Sequence, residues 1–165
     1  MKFNRSLLLL VLYAIMMQAC KEAGKPEIVI TSENFEKDLQ TKLIEVDSNM
    51  IFRLPEGKFE MKRSVSMHNK KGITIKGAGK GKTILSFMNQ VDGAEGMLIK
   101  GTTDLILEGF SIYDSKGDAI KVQECTNVVM RDLETTWTNG KLSTNGAYGL
   151  YPVSCTGVLM EKCEA

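Results

Sequence analysis

The chain has 165 residues, 43% of them hydrophobic and 25% charged, with a formal net charge of +1. That length and apolar content suit one globular domain and exclude a disordered chain. Acidic and basic residues nearly cancel and form no single-sign run, so nothing in the composition favours nucleic acid as a partner.

Lys2 and Arg5 precede an apolar run from Leu7 to Met17, the layout of a secretory signal. The run is too short to span a bilayer as a mature helix. Behind it, Met17-Gln-Ala-Cys20 resembles a bacterial lipoprotein box, in which Cys20 becomes the lipidated N-terminus. Met17 and Gln18 depart from the strictest form of the box, so ordinary signal cleavage stays open. The lipoprotein reading divides the chain into a signal peptide (1–19), a tether with a first strand (20–31) and a domain (32–165). It implies a bacterial cell-envelope protein, anchored by lipid to the periplasmic or surface face of the outer membrane. Removing Lys2 and Arg5 leaves 19 basic against 20 acidic residues, a net charge of −1.

Ile28 to Thr31 reads as a short strand, and Thr31 and Ser32 are good helix caps. Glu33 to Leu43 follows with Phe35, Leu39 and Leu43 on one face, acids near its start and Lys42 near its end. This pattern predicts one amphipathic helix. Beyond it, Met50 to Leu54, Phe59 to Met61, Val65 to Met67 and Ile73 to Ile75 are short strands divided by turns at Pro55 to Gly57 and Asn69 to Gly72. Such strands, without crossover helices, exclude a doubly wound sheet. Gly77-Ala-Gly-Lys-Gly-Lys-Thr83 invites a P-loop reading. A P-loop needs glycine where Lys76 stands and a helix where Ile84 to Phe87 reads as strand, so the segment is expected to be a turn between two coils and nucleotide is excluded.

From Thr102 onward a phrase recurs: Thr102-Thr-Asp-Leu-Ile-Leu-Glu-Gly-Phe, Cys125-Thr-Asn-Val-Val-Met-Arg-Asp-Leu and Cys155-Thr-Gly-Val-Leu-Met-Glu-Lys-Cys163. The copies start 23 and then 30 residues apart, the mark of a solenoid whose coils stack. Registering them places Leu105, Val128 and Val158 inward, with Leu107, Met130 and Met160 beyond. Met97, Ile120 and Leu150 point inward from the preceding strand, as do Ile99, Val122 and Pro152. Leu98, Lys121 and Tyr151 then face out, as does the apolar row Ile106, Val129 and Leu159, which calls for a cover. Cys125 and Cys155 share one repeat position and are expected to be stacked small residues, since parallel in-register side chains make a poor disulfide. The methionines fall on inward positions, which favours packing over copper.

Leu54-Pro-Glu-Gly-Lys-Phe59 and Lys71-Gly-Ile-Thr-Ile-Lys-Gly-Ala-Gly-Lys-Gly-Lys-Thr-Ile-Leu85, with the later repeats, resemble right-handed parallel β-helix proteins of the pectate-lyase-like superfamily. The resemblance covers roughly residues 45–165 and implies an all-β, right-handed parallel β-helix with the helix as its N-terminal cap. It carries little about activity, because one fold hosts many functions. The chain stops directly after a strand, so a longer protein with further C-terminal coils is expected.

The polar loop from Trp137 to Gly146 leaves the coil where solenoids place ligand contacts. Trp137, Tyr148 and Tyr151 offer flat faces to sugar rings, and Lys100 and Lys121 offer charge to the carboxylates of an acidic polysaccharide or other glycan. The competing reading is that Trp137 anchors its own loop and the tyrosines cover the coil edge. Catalysis finds less support. Asp104, Asp114, Asp118 and Asp132 fall at different repeat positions and form no ladder. Ala147-Tyr-Gly-Leu-Tyr-Pro152 is similar to the Tyr-Gly-x-Asp-Pro-His signature of alginate C5-epimerases, but Tyr151 replaces the acid and Val153 the histidine. His68 reads as a turn residue. The sequence therefore points to an exported β-helix module that binds polysaccharide without catalysis in these coils and without a cofactor. The alternative is a lyase or epimerase relative with active coils beyond residue 165, for which Ca²⁺ would be the expected ion.

Overall fold

The computed structural model describes residues 24–165, so the signal segment and Cys20 lie outside the described residues. Strand β1 (Glu27–Val29) leads into helix α1 (Phe35–Glu45). The first coil is β2 (Ile51–Arg53), β3 (Gly57–Glu60) and β4 (Arg63–His68), and the second is β5 (Thr74–Lys76), β6 (Thr83–Ser86) and β7 (Asp92–Lys100). In the third coil β8 (Thr103–Tyr113) runs along two faces before β9 (Ile120–Gln123), and β10 (Thr126–Thr136) and β11 (Leu150–Val153) repeat that plan. Strand β12 (Thr156–Glu161) opens a fifth.

All pairings between these strands are parallel, and they form a β-solenoid. One sheet runs β1-β2-β5-β8-β10-β12, with β3 and β6 joined to it through the far half of β8. The other runs β4-β7-β9-β11. Corners are made by left-handed backbone, and several of these residues are not glycine. Gly109, Asp132 and Lys162 (φ 71°, 51° and 56°) stack at one bend, and Asp104, Asn127 and Gly157 (φ 55°, 55° and 70°) at another. Asn and Asp tolerate this region because their short side chains bond locally. Here Asn127 Nδ2 donates to Asp104 Oδ1 at 2.9 Å, across coils.

The registration read from the repeats is the observed one. Leu105 pairs with Val128 and Val128 with Val158, Leu107 with Met130 and Met130 with Met160. Met97, Ile120 and Leu150 align, as do Ile99, Val122 and Pro152. Residues of this set in the middle coils are buried, and those of the last coil are partly open. Ile106 and Val129 face out half-buried, and Leu159 is 43% exposed. Beside them runs a charged row. Lys76 pairs with Glu108 at 2.6 Å, and Arg131 reaches Glu108 at 3.5 Å and also pairs with Glu161. Such exposed pairs contribute at most about 1 kcal/mol each, yet alternating signs on successive coils disfavour a slipped register.

Cys125, Cys155 and Cys163 are free thiols. The Thr102 N–H donates to Cys125 Sγ at 3.2 Å and the Cys125 N–H to Cys155 Sγ at 3.4 Å. This position thus takes a small side chain that accepts an N–H from the preceding coil. Burial pushes the Cys125 thiol up, which keeps it neutral and unreactive.

Helix α1 caps the first coil. Phe35, Leu39 and Leu43 are buried, and the Phe35 ring stacks on Phe59 with centroids 3.9 Å apart. Glu36 Oε1 accepts the N–H groups of Lys62 and Arg63 at 2.8 and 2.7 Å. Gln40 brackets Ser66 on the edge strand β4, accepting its N–H at 2.8 Å and donating to its carbonyl at 3.0 Å. Two local expectations need correction. The helix is capped by Asn34 in a left-handed conformation with no side-chain cap bond, while Thr31 Oγ1 donates to the Glu33 carbonyl at 3.3 Å. The glycine-rich turn after Lys76 lies within one coil, between β5 and β6, because the bend of the solenoid falls there.

Candidate functional site

The outer face of the second sheet carries two rows set by the same register. Leu98, Lys121 and Tyr151 pair on β7, β9 and β11. Three residues upstream, Glu95, Asp118 and Tyr148 also align. The Gly96 N–H donates to the Asp118 carbonyl and the Ala119 N–H to the Tyr148 carbonyl, each at 2.9 Å. At two points the approach to these rows is too close for any side chain. A Cβ on Gly117 would lie 2.4 Å from the Ala94 carbonyl oxygen, and one on Gly146 would lie 1.7 Å from that of Gly117.

Lys121 Nζ stands 3.6 Å from Glu95 Oε1, 3.9 Å from Asp118 Oδ2 and 5.6 Å from the centroid of the Tyr151 ring. Tyr151 stacks on Tyr148 with centroids 4.4 Å apart and planes 25° from parallel. Tyr148 is 52% exposed and backed by Tyr151, so it offers an open aromatic face beside a lysine shared by two carboxylates.

Three of the five predicted binding residues, Lys121, Tyr148 and Tyr151, therefore meet. Lys100 lies in the adjacent row, 3.4 Å from Glu124. The Gln123 amide, donating at 2.8 Å, and Lys100 beside it hold the Glu124 carboxyl below the usual range. Trp137 is half-buried, its Nε1–H donates to the Ser115 carbonyl at 2.7 Å, and it packs against the core. It also lines, with Tyr148, Leu150 and Met160, an open cleft of about 620 Å³. His68 ends β4 and is exposed.

Sequence reasoning missed Glu95. Asp118 belongs to no aspartate ladder, yet aligning Met97 with Ile120 puts Glu95 and Asp118 at one repeat position. Sequence reasoning also missed Gln90, a buried polar residue at 3% exposure. The Gln90 Nε2 group donates to the Glu95 carbonyl at 2.9 Å, and its Oε1 accepts the Lys116 N–H at 3.0 Å. Ser64 Oγ also donates to the Glu95 carbonyl. One buried amide thereby fixes the chain beside Glu95 to the chain that enters Asp118.

No group of three metal-ligating side chains occurs among the described residues. Glu95 and Asp118 do not fit Ca²⁺, because the Lys121 ammonium already lies 3.6 and 3.9 Å from their carboxylates. A second polar centre lies on another face, where the Ser111 and Tyr113 hydroxyls both donate to Glu134 Oε2 at 2.8 Å. Burial and the Glu134 carboxylate push the Tyr113 phenol up. The Gly81 N–H donates to Ser111 Oγ at 2.8 Å, so this centre ties the glycine-rich turn to the third and fourth coils.

No protein-family model matches the chain, and no curated protein matches it in sequence. Among solved structures it is similar to a candidate glycosyl hydrolase from Parabacteroides merdae, with a TM-score of 0.55 and 16% identity over 72% of this chain. The match spans 62% of that protein, less than two thirds of its length. At that identity the likeness shows the shared fold, a parallel β-solenoid.

Proposed function

We propose that this protein is a bacterial envelope module that binds polysaccharide on the outer face of the β4-β7-β9-β11 sheet, without catalysis in these coils. The observation that carries the reading is the stacked pair Tyr148–Tyr151, with Tyr148 exposed, beside Lys121, Glu95 and Asp118. Aromatic faces stack on the C–H face of sugars, and flanking charged groups bind hydroxyls. The solenoid and the name of the P. merdae neighbour support a carbohydrate ligand. Retention in polysaccharide-containing gels tests this. Tyr151→Ala is expected to lower affinity about five- to thirtyfold, for loss of roughly 1–2 kcal/mol of ring contact. Unchanged retention would remove the tyrosine platform from the site.

One observation favours a second reading. Carboxylates on adjacent coils, Glu95 and Asp118, are the kind of pair that glycoside hydrolysis uses. Both lean on one lysine, and among the described residues neither side chain makes a hydrogen bond that would fix it in place. The binding reading predicts retention with no new reducing ends and no unsaturated product. Either product would overturn it.

The proposed anchor is a lipid on Cys20. Metabolic labelling with a fatty acid is expected to mark the protein and to be lost in Cys20→Ala; labelling that survives the substitution would refute the anchor.

A further inference from the structure

We infer that the proposed binding face selects uncharged sugars and rejects uronates; this rests on the binding reading above. The lysines that strands β7 and β9 contribute to this face are both engaged. Lys121 is shared by Glu95 and Asp118, with the Tyr151 ring beside it. Lys100 is held by Glu124, whose carboxyl is also fixed by Gln123.

The charges of Glu95, Asp118 and Lys121 sum to one negative charge next to the tyrosine platform. A uronate brought onto that platform would face like charge and would have to break an existing ion pair, which is how interfaces suppress wrong partners. Neutral sugars meet no such barrier. Each carboxylate faces Lys121 and accepts no hydrogen bond from the described residues. Those two acceptors stand on neighbouring coils, suited to hydroxyl groups of one sugar while its C–H face lies on the open side of Tyr148. The arrangement is preorganised, since Gln90 and Ser64 hold the Glu95 carbonyl and the Ala119 N–H holds that of Tyr148. Preorganised acceptors lose little entropy when a ligand arrives.

The test uses the full chain and matched polymers. Polygalacturonan, polymannuronan and polyglucuronan are each compared with the carboxyl-reduced form, which keeps backbone and linkage and differs only in charge. Affinity electrophoresis is expected to show at least tenfold stronger retention by the reduced form of whichever backbone binds. Replacing both acids, Glu95→Gln with Asp118→Asn, leaves Lys121 unpaired and is expected to reverse the preference; circular dichroism and the thermal midpoint establish that this variant is folded. Stronger or equal retention by the uronate form of the unaltered protein overturns the inference while leaving the binding reading in place. A folded double variant with unchanged preference also overturns it. Retention by neither form of any backbone removes the binding reading and the inference together.

Discussion

Phe110→Ala is expected to destabilise the protein by about 3–5 kcal/mol, the usual cost of emptying a phenylalanine site in a packed core. Phe110 is fully buried and follows the left-handed Gly109 at the bend of β8, so its ring points into the solenoid where the strand changes face. It pairs with Leu133 on the next coil, and Cys163 fills the equivalent place below. A solenoid is stabilised by contacts between adjacent coils, and a cavity in the third coil weakens its interfaces with both neighbours. Urea denaturation should show a lower midpoint with an unchanged slope. A loss under about 1 kcal/mol would mean that the bend does not seat the ring as described.

The second large effect is expected at Gly77. Its backbone has no left-handed requirement, and the constraint is space: a Cβ would lie 2.2 Å from the Gly109 carbonyl oxygen and 2.9 Å from the Cβ atoms of Phe110 and Thr83. The coils cannot simply part, because the Gly77 N–H donates to the Glu108 carbonyl at 2.9 Å. Gly77→Ala should therefore cost about 3 kcal/mol, the upper end of overpacking, since the obstacle is backbone. Gly81, four residues on, has φ 74°, and a Cβ there would meet nothing within 4 Å, so Gly81→Ala should cost only about 1 kcal/mol of backbone strain. Thermal midpoints of the two variants check the ordering, and equal losses would refute close packing of the turn.

The fold was readable because its information is repeated. Three copies of one phrase fix a register, and the period of two in a strand then assigns inward and outward sides. Leu105, Val128 and Val158 fall into place on that basis, and with them Lys121 and Tyr151. Repetition helps less where the chain turns. Asp132 and Lys162 take the backbone conformation that Gly109 takes at the same bend, and no residue type announces that equivalence. The glycine-rich turn was misplaced for that reason, since the corner it makes lies inside a coil.

The site was legible only in part. The tyrosines and Lys121 follow from register, but Glu95 and Asp118 share a repeat position as two different acids, an equivalence that a ladder of one residue type does not show. The pairing of Lys121 and Lys100 with acids is a matter of side-chain reach across coils, which spacing alone does not give. Gln90 and Gln40 are the sharper omissions. A single glutamine in a loop or on a helix face reads as solvated, and only the folded chain shows that each is holding backbone.

Gln40 has a consequence for how the molecule meets others of its kind. The β4 strand is the outermost of its sheet, and the unpaired N–H and C=O groups of such a strand are a template for any passing chain. By bonding both groups of Ser66, one side-chain amide imitates a neighbouring strand, and Glu36 occupies the N–H groups just before it. The helix thereby does more than cover apolar surface: it leaves this edge with no hydrogen-bonding vacancy at Ser66, so the solenoid resists edge-to-edge aggregation from that side.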